Sequence, residues 1–83
     1  MPPVVLVYRV NVDGAVFSSQ KQARIGVIIR DSQGNSIAGL SKKLYAPLGA
    51  IEAKAKAFEE GIVFAGDVGI QNFVVEDDCL AIV

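Results

Sequence analysis

The chain has 83 residues, a formal net charge of −1, 52% hydrophobic and 20% charged residues. That length holds one domain of marginal stability, and that apolar content excludes a disordered tail. One cysteine and no histidine exclude an internal disulfide, a thiolate or imidazole metal site and a Ser–His or Cys–His nucleophile pair.

Residues 4–12 are rich in β-branched side chains and read as a first strand with both faces largely covered. Asp13-Gly14 ends it, and residues 18–21 are polar enough for a loop. A second strand is expected over 23–30, where Ile25, Val27 and Ile29 alternate with Arg24, Gly26 and Arg30. Asp31-Ser32-Gln33-Gly34-Asn35 is a turn signal, and a third strand follows from Ser36 to Leu44. The three strands make an antiparallel meander.

After Pro47 the period changes. Ile51, Ala55, Phe58, Ile62 and Ala65 recur at helical spacing, which puts them on the sheet-facing side with Lys54 beside them. Glu52, Lys56, Glu59 and Glu60 then form the solvated face. Gly66 and Gly69 stop the helix, and residues 70–75 are a fourth strand, parallel to an earlier one after a crossover. Asp77 or Asp78 caps a final helix cut short at Val83. The fold class is mixed α/β.

Oxygen ligands are the ones this composition leaves, which favour Mg²⁺, Mn²⁺ or Ca²⁺. The near-neutral charge offers no global attraction to nucleic acid, so phosphate binding rests on a local patch. Arg30, Lys42 and Lys43, with Lys21 and Arg24 nearby, are candidates for a phosphate track, against ordinary solvated charge as the plainer reading. The aromatic residues are scattered and give no stacking cluster. Apolar runs fall far short of the roughly 20 residues that span a bilayer. Met1-Pro2-Pro3 carries no basic signal-peptide flank. The expectation is a soluble intracellular protein, cytoplasmic or nuclear, with no membrane partner.

Taken alone, Asp13 is an Asp-Gly turn residue or a strand-end carboxylate. A parallel pairing of strands one and four would bring it near Asp78, and two such carboxylates call for a cation. Three segments in order bear on this choice: Asn11-Val12-Asp13-Gly14-Ala15, the hairpin from Gly26 to Gly34, and Glu76-Asp77-Asp78-Cys79-Leu80. With the helix end Glu60 to Ala65, they resemble a plant-type ribonuclease H-like domain of the type-1 superfamily. The resemblance implies a single domain over residues 1–83, C-terminally incomplete: meander, helix, parallel fourth strand and truncated last helix. It implies an Mg²⁺-dependent endonuclease on the RNA strand of RNA–DNA hybrids, with Asp13 and Asp78 as catalytic metal ligands. Cys79 stands where the family often has serine, as a small inert residue.

The helical glutamate of that family is missing. Counting back from Gly61 places Lys54 at its position. Glu52 is a weak substitute, pointing about 200° round the helix. An ammonium there opposes a divalent ion by on the order of several kcal/mol, and is instead positioned to neutralise Asp13 and Asp78. Weak or absent activity is expected. The alternative is a non-catalytic remnant that self-associates, or binds another protein, through an open sheet edge.

Overall fold

The computed structural model describes residues 7–47, 49–77 and 81–82. Strand β1 (Tyr8–Phe17) alternates buried Val10, Val12 and Val16 with exposed Arg9 and Asp13. A 3-10 turn (Ser18–Gln20) leads into β2 (Gln22–Arg30), where Ala23, Ile25, Val27 and Ile29 are buried and their neighbours are not. Strand β3 (Ser36–Tyr45) completes the antiparallel meander. Helix α1 (Ala50–Val68) crosses over, and β4 (Phe73–Asp77) pairs parallel with β1. The sheet order is β3-β2-β1-β4, with β5 (Ala81–Ile82) pairing parallel with Ala15 and Val16 of β1. The mixed α/β architecture is the one expected, and it is compatible with a ribonuclease H-like fold. Among the described residues, no helix is long and apolar enough to cross a membrane.

The turn between β2 and β3 is built by Asp31. Its Oδ1 accepts the backbone N–H groups of Gln33 and Asn35, each at 2.9 Å, and its Oδ2 accepts the Asn35 side-chain amide at 3.3 Å. The backbone N–H of Asn35 contributes most to holding this carboxyl below its ordinary value of 3.8.

Five local expectations give way. Strand β1 does not end at Asp13-Gly14 but runs on to Phe17. Gly14 sits inside the ladder opposite Ile25, where a Cβ would collide with the Arg24 carbonyl oxygen, so its glycine serves strand approach rather than a turn. Among the described residues, coverage of β1 is one-sided, as the alternation shows. Ala81–Ile82 is a strand, not a helix, and gives the far end of β1 a partner beyond β4. Helix α1 passes through Gly66 and stops at Gly69, whose φ of 89° supports a double cap. There Gly69 N–H donates to the Gly66 carbonyl and Ile70 N–H to the Ala65 carbonyl, both at 3.0 Å. That cap occupies the start of the predicted fourth strand, which begins at Phe73 instead.

The face of α1 also differs from expectation. Ala53, Ala57, Gly61 and Ala65 are its buried residues, while Ile51 is 87% and Ile62 51% exposed and Ala55 and Lys54 are also exposed. Successive fourth residues line one side of a helix. Their small size lets α1 approach β1 closely: a Cβ on Gly61 would lie 3.1 Å from Val12 Cγ2 and 3.4 Å from Val10 Cγ1. A larger residue at Gly61 would crowd that seam, and the isoleucines take the outside.

Two predictions follow from these contacts. Gly61→Val should lower stability by about 1–3 kcal/mol through overpacking, whereas Gly66→Ala, with nothing within 4 Å, should raise it by about 0.5–1 kcal/mol. Thermal melting of both variants checks the seam, and a stable Gly61→Val protein would refute it. Asp31 stabilises the fold fully above its ordinary value of 3.8; this contribution is lost as pH falls through its lowered folded value. An NMR titration should place the Asp31 midpoint below 3.8, and a midpoint at or above that value would contradict the turn geometry.

Candidate functional site

Residues paired across a ladder share a face, so the sheet has two distinct sides. Val10, Val12, Ile25, Val27 and Ile29 lie under α1 with Ala57 and Ala65. The other side carries Arg9, Asn11, Asp13, Ala15 and Phe17 from β1, and Arg24, Gly26, Ile28 and Arg30 from β2. Ser41, Lys43 and Tyr45 of β3 continue it, since Leu40 and Leu44 pack into the core. No described element covers this side. Cavities of about 530, 400 and 210 Å³ run along it and share lining residues: Asp13, Gly26 and Ser41 join the first two, and Phe17 and Arg24 the last two.

Asp13 belongs to this open side. Its Oδ1 lies 3.2 Å from where a Cβ of Gly26 would be, and Gly26 stands between the core residues Ile25 and Val27. The carboxylate is exposed and directed away from α1. Asn11 is its neighbour on the same side, and its Oδ1 is buried with no hydrogen-bond partner among the described residues.

The other expected site residues are distributed as follows. Asp78 and Cys79 lie outside the described residues, although the backbone of Asp77 pairs with Val12. Lys54 is exposed on α1 rather than packed on the sheet. Glu52 is not on a solvated face: its side chain is only 19% exposed and lies 3.5 Å from Lys56 Nζ, which also donates to the Tyr45 carbonyl at 2.6 Å. Arg30 and Lys43 share the open side with Asp13. Lys42 does not, because adjacent residues of a strand alternate; its Nζ is 2.9 Å from Glu60 Oε1 on α1. The three proposed phosphate contacts are therefore divided between two faces.

A row of aromatic residues escaped the sequence reading. Phe17 pairs with Gln22, and Gln22 with Tyr45, which is 63% exposed. The adjacent row is Ala15, Arg24 and Lys43. Only the register across three strands brings these positions together.

The reverse transcriptase-like family model, which describes a ribonuclease H-like domain, matches residues 11–83. The chain belongs to that family. The match begins at Asn11, on the strand that carries Asp13, and extends through the meander, α1 and β4. No curated protein and no solved structure matches the chain.

The family resemblance calls for Mg²⁺ held by carboxylates. Among the described residues, no group of three or more Asp, Glu, His or Cys side chains is placed to hold a metal ion. Asp13 is the one described carboxylate of the expected ligand set, and it faces away from the helix that should supply a second. The described donors do not make a two-ion centre.

Proposed function

We propose that this chain is a nucleic-acid-binding domain of the ribonuclease H type that cleaves RNA–DNA hybrids weakly or not at all. The observation that carries this reading is the separation of Asp13, on the open side of the sheet, from α1 on the other. Family chemistry with Mg²⁺ bound at Asp13 and Asp78 would activate water and stabilise the leaving oxygen. Lys54 in place of the helical glutamate opposes it through repulsion between like charges. Arg30 and Lys43 remain available to contact phosphates from the same side as Asp13, while Lys42 is engaged by Glu60.

The test is Mg²⁺-dependent cleavage of a labelled RNA–DNA hybrid, with hybrid binding followed in parallel by fluorescence anisotropy. Binding without cleavage is expected for this chain and for Lys54→Glu. Cleavage by the unmodified chain that disappears in Asp13→Asn would overturn the proposal. Cleavage gained only in Lys54→Glu would mean that the acidic constellation does assemble around Asp13.

A second reading, self-association, is favoured by one observation. Ile51 and Ile62, with Ala55 and the half-buried Phe58, form an outer stripe on α1 at alternating spacings of four and three, the pattern of a helix–helix seam. The β3 edge is a poorer candidate, because Lys42, Lys43 and a bulge at Ile29/Arg30 guard it. On this reading, light scattering gives a dimer mass that returns to monomer in an Ile51→Glu, Ile62→Glu double variant. A monomer at every concentration would eliminate it.

A further inference from the structure

We propose that the open side of the sheet is a platform for single-stranded nucleic acid, with Arg24 and Lys43 on phosphates and Tyr45 and Phe17 stacking on bases. This rests on the nucleic-acid reading above and names the surface and the strand state that it takes.

The charge pattern identifies the occupant as an anion. Arg24 and Lys43 are direct cross-strand partners, and like charges so placed repel. The third member of their row is Ala15, which offers no counter-charge. Neither cation is ion-paired to a described residue. Arg30 extends the positive track along β2, whereas Arg9 lies 3.8 Å from Glu76. Asp13 is thus the one described carboxylate set against three cations along the connected cavities. A second copy of this side would place the same cations against one another, so charge complementarity excludes it as the occupant.

The shape argues for a single strand. Gly26, Gly39 and Ser41 form a low floor beneath the cavity of about 530 Å³, which lets a backbone lie close to the sheet. Phe17 and Tyr45 stand two strands apart, roughly 10 Å, at the end of the track. Stacking on such rings needs unpaired bases with free faces, which a duplex withholds. The unpartnered Asn11 Oδ1 on the same side accepts a hydrogen bond, and the exocyclic amino group of an unpaired base is a donor that would satisfy it.

The test uses fluorescence anisotropy with a labelled single-stranded oligouridylate and, separately, a labelled RNA–DNA hybrid. Tyr45→Ala should weaken single-strand binding about tenfold. Arg24→Ala with Lys43→Ala should flatten the salt dependence by about 1.4 in the logarithmic slope. Lys42→Ala, on the opposite side, should leave both unchanged. The double variant should also melt at a higher temperature, since a repelling pair is removed, which separates lost binding from lost folding. Single-strand binding that is indifferent to Tyr45, Arg24 and Lys43 overturns the platform while leaving the nucleic-acid reading intact. So does binding of the hybrid without the single strand. Binding of neither overturns both.

Discussion

The close approach of α1 to β1 governs the rest of the structure. In the seam of Ala53, Ala57, Gly61 and Ala65, Gly61 faces Val10 and Val12, where a Cβ would lie 3.1 Å from Val12 Cγ2, tighter than an ordinary contact. The branched valines supply the bulk on the sheet side, so the helix must supply almost none. Two consequences follow from that asymmetry. Ile51, Ile62, Val63 and Val68 of α1 are displaced to its outer surface, and among the described residues one helix lying along β1 covers one side of the sheet alone. The exposed isoleucines and the open side of the sheet thus have a common origin.

Charge is divided along the same line. On the helix side, Lys42 reaches Glu60, while Lys56 reaches Glu52 and the Tyr45 carbonyl. Each of these surface pairs is worth less than about 1 kcal/mol, so they orient α1 over β3 more than they stabilise it. On the open side, Arg24, Arg30 and Lys43 find no such carboxylate partners among the described residues. The net charge of −1 conceals this division, because Glu52, Glu59, Glu60 and Asp67 lie on the helix and Asp31 in the turn. A neutral composition is compatible with a positive face, which a whole-chain sum cannot reveal.

How legible each feature was depends on which physical signal carried it. Strand β2 and the Asp31 turn were readable because alternation and turn chemistry are local. Asp13-Gly14 misled because the same dipeptide serves a turn and a tight strand pair, and only the facing Arg24 carbonyl distinguishes them. The helix face misled for a different reason: periodicity weighted by hydrophobicity selects Ile51 and Ile62, whereas this interface selects smallness. The separation of Lys42 from Lys43 was available in the period of a strand. The row of Phe17 and Tyr45 was not, because it depends on two registers at once.

The geometry separates two properties that the family resemblance joins. Metal chemistry would need acids from β1, α1 and the segment after β4 to converge, and a lysine in α1 disturbs that convergence directly. Strand binding on the open side needs nothing from α1 beyond its support of β1 from behind. On the proposal that Lys54 stands in place of a helical glutamate, the proposed platform does not depend on that exchange. Asp13 then has an altered meaning: with a divalent ion its charge draws the phosphate in, and without one it opposes the phosphate and must be outweighed by Arg24, Arg30 and Lys43. With Arg9 and Glu76 paired to each other, three cations against one carboxylate is the balance along the connected cavities. It permits binding in the absence of hydrolysis, the state that a replaced catalytic residue would leave behind.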